Sequence, residues 1–169
     1  LYFYLKKTNE FPDKKDYHVF LVFINAVNIA VGEIWEFYEY ARSLKEKGII
    51  RHMGMSTHNP AVAKLAALSG RIEMILFSIN PAFDMLPASD DITEYFKENY
   101  DEGLGGIAPE RAELYKICEK NGVGITVMKG YAGGRLFSAE TSPFKTALTP
   151  VQCLHYALTR PGTASVMVG

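Results

Sequence analysis

Short, continuous apolar runs alternate along the chain with longer stretches whose apolar positions recur at helical spacing. Val19 to Ile24, Ile49 to Met55, Ile72 to Ile79, Val123 to Met128 and Ala164 to Val168 are rich in β-branched, aromatic and other apolar residues. Each is bounded by polar, glycine or proline positions, which predicts buried strands. Between them, Glu33 to Lys47 places Ile34, Phe37, Tyr38, Ala41 and Leu44 on one helical face. Asn59 caps a second helix with Pro60 at its first position, an apolar face of Val62, Leu65 and Ala66, and Gly70 as its end. Pro109 to Lys120 predicts a third helix, with Leu114, Ile117 and Cys118 inward and Asn121-Gly122 as its stop. Thr149 and Pro150 open a fourth, closed by Arg160-Pro161-Gly162. The rest is less regular: a helix tail at Leu1 to Lys7, a loop from Asn9 to Asp16, and a short helix near Ile92 to Asn99.

Strand and helix thus alternate strictly, which argues for a parallel sheet with right-handed crossovers. A (β/α) barrel and an open doubly wound sheet both satisfy this pattern. No GxGxxG follows the first strand, which counts against a dinucleotide-binding half of the open kind. In either architecture ligands bind at the C-terminal ends of the strands. Polar residues gather there: Asn25 to Asn28, then Ser56, Thr57, His58 and Asn59, then Asn80, then Lys129-Gly130-Tyr131-Ala132-Gly133-Gly134.

Composition narrows the classes. A length of 169 residues with 48% hydrophobic and 22% charged residues suits one domain with a real core. A net charge of -1 gives no electrostatic reason to expect nucleic acid or an anionic membrane surface as partner. No apolar run of ~20 residues predicts a membrane span, and Lys6, Lys7, Glu10 and Asp13 interrupt the start too early for a signal peptide. Cys118 and Cys153 form no ligand pair, so no metal is expected, and buried thiols in a reducing cytoplasm account for them. Leu1 and Gly169 both read as cut ends of a longer protein.

The segments KGIIRHMGMSTHNP, FSINPAFDMLP, ERAELYKICEKNGVGITVMKGYAGGRL and ALTPVQCLHYALTRPGTASVMVG, in that order, resemble the aldo/keto reductases. The resemblance is to the branch that often carries a C-terminal iron–sulfur cluster, and it covers most of Glu33 to Gly169. It implies a partial (β/α)8 TIM barrel over residues 1–169, about strands four to eight of eight. It also implies NADPH as cofactor and a small-molecule aldehyde or ketone as substrate. The family's catalytic aspartate, tyrosine and lysine belong to strands before those resembled here. The rest of the adenosine-phosphate site and any cluster cysteines lie after them.

The resemblance assigns roles residue by residue. The family's histidine at the end of strand four corresponds to Asn25, whose amide donates a hydrogen bond but does not titrate near neutral pH. Ser56 and Thr57 match the residues that bind the nicotinamide carboxamide, with a polar helix-capping turn as the competing account. Asn80 is either a pocket-lining amide or a strand-ending turn. Met128 replaces an aromatic that stacks on the nicotinamide, and its thioether suits either a ring or the core. Lys129, Gly130, Gly133 and Gly134 form the most phosphate-like loop, since glycines let backbone N–H groups approach an anion. His58 reads as a turn or capping residue, and His18, His52 and His155 as structural or surface residues. Tyr17, Tyr38 and Tyr131 lack the partners expected of a substitute acid. Five strands leave two open barrel edges, so self-association is expected. A non-catalytic binding protein or an inactive fragment with an inherited barrel fold is the rival reading.

Overall fold

The structure, a computed structural model, describes residues 20–22, 31–89, 92–97, 100 and 103–167. Strands β1 (Phe20–Val22), β2 (Met53–Thr57), β3 (Met74–Ser78), β4 (Gly124–Met128) and β5 (Thr163–Val166) form one sheet in sequence order. All four neighbouring pairs are parallel. Helices α1 (Val31–Glu46), α2 (Pro60–Leu68), α3 (Pro109–Asn121) and α4 (Pro150–Leu158) make the crossovers. Consecutive strands that stay neighbours, with a helix in every crossover, give the curved half of a (β/α)8 barrel rather than a doubly wound order.

Two predicted details differ. The second strand begins four residues later than the apolar run suggests, at Met53 rather than Ile49. Ile49 is exposed in the turn that follows α1, and its N–H donates to the Leu44 carbonyl at 2.9 Å. Glu73 fixes the true start: its Oε2 accepts from the Met53 N–H at 2.6 Å, its own N–H donates to the Met53 carbonyl at 2.9 Å, and its carboxylate pairs with Lys45 of α1. On α2 the buried positions are Pro60, Ala63 and Ala67, while Leu65 is largely exposed. Small residues let α2 lie close to the sheet, so shape overrides the hydrophobicity of Val62, Leu65 and Ala66 there.

The caps follow the sequence. Asn59 Oδ1 accepts from Ala61 N–H at 2.8 Å, Thr149 and Gln152 form a reciprocal capping box, and Gly122 ends α3 in the left-handed conformation. Ile75, Phe77 and Ile79 point to the helix side and pack with Ala63, Ala67, Leu114, Tyr115, Cys118, Ile125, Val127 and Ala157. Alternation puts Ser56, Leu76, Thr126 and Ser165, which are in register across β2 to β5, on the opposite, barrel-interior face. There the Ser165 hydroxyl donates to Thr126 Oγ1 at 3.1 Å.

Gly54 on β2 is in register with Met74 on β3. A Cβ on Gly54 would lie 2.4 Å from Met74 Cγ and 2.8 Å from the Met74 carbonyl oxygen. The side chain can swing away but the carbonyl belongs to the ladder. Gly54→Ala is therefore expected to destabilise the fold by about 1–3 kcal/mol, read as a lower urea midpoint.

Candidate functional site

The polar ends of β2, β3 and β4 meet at one rim of the sheet. Ser78 is in register with Met128, and the Ile79 N–H donates to the Met128 carbonyl at 3.3 Å. One residue beyond, Asn80 ties the two strand ends together. Its Nδ2 donates to the Lys129 carbonyl at 2.9 Å, and its Oδ1 accepts from Ala82 N–H at 3.0 Å and Phe83 N–H at 2.8 Å. Asn80 is fully buried, so it shapes the rim from below.

Lys129 takes a φ of +59°, unusual for a residue with a Cβ. Such a conformation persists only when its surroundings impose it, and the Asn80 bond to its carbonyl is one such constraint. The chain then turns sharply: Ala132 N–H donates back to the Lys129 carbonyl at 2.8 Å, and Gly133 and Gly134 both have positive φ. Gly130 is buried, with room for a Cβ limited by Val166 Cγ1 at 3.3 Å. Ala132 and Leu136 anchor the turn in a second apolar cluster with Ala82, Phe83, Leu86, Tyr95 and Cys153. Lys129 and the two exposed glycines are left at the surface of a fixed loop.

On β2 the alternation separates the two predicted carboxamide partners. Ser56, opposite Leu76, faces the barrel interior and is partly exposed. Thr57, opposite Phe77, is buried, and its Oγ1 accepts from the Asn59 N–H at 3.1 Å in the turn that enters α2. His58 lies in the turn between β2 and α2, and of its two expected roles, turn or cap, it has the first, because Asn59 caps α2. Its Nδ1 lies 3.2 Å from Ser78 Oγ, its carbonyl accepts from the Tyr95 hydroxyl at 3.0 Å, and its ring is tilted against Tyr95 with centroids 6.0 Å apart. Burial, then Lys129 and Arg111, hold the imidazole below its ordinary pKa.

Beneath the rim lies a buried ion pair that sequence reasoning missed. Arg111 of α3 and Asp84 are both fully buried, with Arg111 NH1 3.2 Å from Asp84 Oδ1 and donating to the Ser78 carbonyl at 3.0 Å. Tyr115 donates to Asp84 Oδ1 at 2.5 Å and Tyr156 of α4 to Oδ2 at 2.8 Å. Phe77 and Tyr95 lie 5.1 and 5.3 Å from the guanidinium carbon as cation–π partners. Burial pushes the Asp84 carboxyl up, against Arg111 and the two phenols. Burial and the Asp84 charge push both phenols well above their usual range.

Ser56, Asn80, Met128, Lys129 and Gly130 thus converge on one rim, with Gly133 and Gly134 on the turn beside it. Asn25, at the position resembling the family's histidine, lies outside the described residues. Among the described residues no group of His, Cys, Asp or Glu could hold a metal ion. No described helix is long and apolar enough to cross a membrane.

The fold defined by these elements is α/β, a partial (β/α)8 barrel. Among solved structures the chain is similar to the aldo-keto reductase AKR11C1 from Bacillus halodurans in its holo form, with a TM-score of 0.50 and 19% identity. The match covers 88% of this chain and 48% of that one. At this identity the likeness is one of fold. No protein-family model matches the chain, and no curated protein matches it.

Proposed function

We propose that the chain is one domain of an aldo/keto reductase-like oxidoreductase that uses NADPH to reduce an aldehyde or ketone in the cytoplasm. The observation that carries this reading is the rim formed by Ser56 of β2 with Met128 and Lys129 at the end of β4, two strands that flank β3 in one parallel sheet, on a fold shared with an aldo-keto reductase. Ser56 receives the nicotinamide carboxamide, Met128 lies against the ring, and Lys129 with the backbone of Gly130, Gly133 and Gly134 receives phosphate. Thr57 supports the turn that holds Ser56. NADPH when bound supplies the hydride. The protein supplies orientation and a proton from residues other than Asn25, whose amide does not titrate.

A fluorescence titration with NADPH and a turnover assay with a generic aldehyde test this directly. Lys129→Met is expected to weaken NADPH binding about tenfold, the worth of one charge-assisted hydrogen bond, and to flatten its salt dependence. Unchanged affinity in that variant would remove the phosphate role. Asn25 in place of a histidine favours the second reading, a protein that binds the cofactor without turning over a carbonyl. Binding with no turnover by the whole protein would support it.

Among the described residues the sheet is open, with β1 and β5 each paired on one side only. Unpaired strand edges recruit other strands. This chain by itself is expected to self-associate, visible as oligomers in light scattering, and a monodisperse monomer with a cooperative melt would argue against it.

A further inference from the structure

Among the described histidines, His58 stands apart because its surroundings specify both ring nitrogens. Ser78 is fully buried, and its hydroxyl has His58 Nδ1 as its hydrogen-bond partner. A buried hydroxyl proton needs an acceptor. That need is met when Ser78 Oγ–H donates to Nδ1, which must then carry a lone pair. A neutral imidazole with a lone pair on Nδ1 carries its proton on Nε2. Placing the ring proton on Nδ1, or protonating both nitrogens, would leave the Ser78 hydroxyl proton unmatched.

The charges around the ring act in the same sense. Lys129 approaches from the β4 turn and Arg111 from α3, the latter paired with Asp84. Tyr95 contributes its ring and binds the His58 carbonyl. The imidazole is therefore held neutral and oriented. Its Nε2 has no hydrogen-bond partner among the described residues, and the ring is half-buried rather than sealed. Alternation puts His58 on the same face of the β2 end as Ser56, beside Ser78. A fixed, uncharged N–H donor on that face suits an uncharged oxygen better than a phosphate.

We infer that His58 is a ligand-facing residue of this site, its Nε2–H donating to an uncharged carbonyl oxygen of the bound ligand while Ser78 and Tyr95 act as its positioning residues. This rests on the reading of the rim as a nicotinamide and carbonyl pocket. Two oxygens have the required chemistry: that of the cofactor's carboxamide and that of the substrate's carbonyl.

Long-range proton–nitrogen NMR of the ¹⁵N-histidine-labelled protein tests it, with the signal assigned by its loss in His58→Gln. The expected pattern is the Nε2–H tautomer at neutral pH. A shift of that signal on adding NADPH alone assigns the contact to the carboxamide. A shift only when an aldehyde is added as well assigns it to the substrate. His58→Phe removes the donor but keeps a ring against Tyr95 and the main-chain bond, so circular dichroism should show a folded protein. It is expected to weaken the responsible ligand about tenfold, as a Kd for NADPH or a KM for the aldehyde, while His58→Gln, which keeps an N–H donor, recovers part of the loss. An Nδ1–H tautomer, or a ring signal unmoved in both arms while fluorescence shows NADPH bound, would overturn the inference and leave the pocket reading standing. No response to NADPH or aldehyde by fluorescence, turnover or NMR would overturn both.

Discussion

Asp84→Ala is expected to lower the unfolding free energy by about 3–5 kcal/mol, the usual cost of removing one member of a buried ion pair. The size follows from what is left behind. Arg111 is fully buried, and its Nε and NH2 already lack hydrogen-bond partners. Without Asp84 its charge would keep only the Ser78 carbonyl and the faces of Phe77 and Tyr95. The Tyr115 and Tyr156 hydroxyls would lose their shared acceptor in the same step. Urea unfolding at constant pH measures the loss. Arg111→Met in the Asp84→Ala background should recover part of it, because a pair replaced by apolar groups costs less than a pair cut in half. If Asp84→Ala costs less than about 1 kcal/mol, water reaches the pair and the site beneath the rim is wet. The Asp84 pKa fits this account. Burial raises it against the pull of Arg111, Tyr115 and Tyr156, the desolvation cost that a buried pair must offset.

That network shows why the site was only half legible. The alternation of strands and helices, the caps at Asn59 and Thr149, and the stop at Gly122 are local signals, and the structure keeps them, while α4 ends earlier than its Arg160-Pro161-Gly162 signal, at Leu158 with Thr159 as its cap. Hydrophobicity alone misjudged positions decided by packing. Ile49 is apolar yet exposed, because Glu73, twenty residues downstream of Met53, sets where β2 begins. Leu65 is exposed because Ala63 and Ala67 fit the sheet better. Arg111 was readable in principle: it falls on the stripe of Leu114, Tyr115 and Cys118, and a charge on the inward face of a helix asks for a partner. Nothing local names Asp84, Tyr156 or Ser78 as the answer, since those contacts span 27 to 72 residues of sequence or run through a main-chain carbonyl. The pairing of Ser56 with His58 rather than Thr57 on one face follows from period-two alternation, once the strand's bounds are set at Met53–Thr57.

The second large effect is expected at Asn80, where the fold and the proposed cofactor loop share one side chain. Asn80→Ala would remove the acceptor of the Ala82 and Phe83 N–H groups and one of the two donors to the Lys129 carbonyl, leaving that from Ala132. Losing the acceptor for two buried N–H groups should cost about 2–4 kcal/mol. The functional consequence is separate, because the constrained φ of Lys129 would lose one of its restraints. Asn80→Asp distinguishes the two. Its carboxylate still accepts from Ala82 and Phe83, but it presents an acceptor to the Lys129 carbonyl where the amide presented a donor. Asn80→Asp should therefore melt above Asn80→Ala while binding NADPH no better than it. If Asn80→Asp binds NADPH like the parent protein, the loop holds its shape without Asn80. The turn bonds from Ala132 to Lys129 and from Gly134 to Tyr131 would then suffice. If both variants lose binding together with Lys129→Met, the Asn80 amide is what aims Lys129 at the anion.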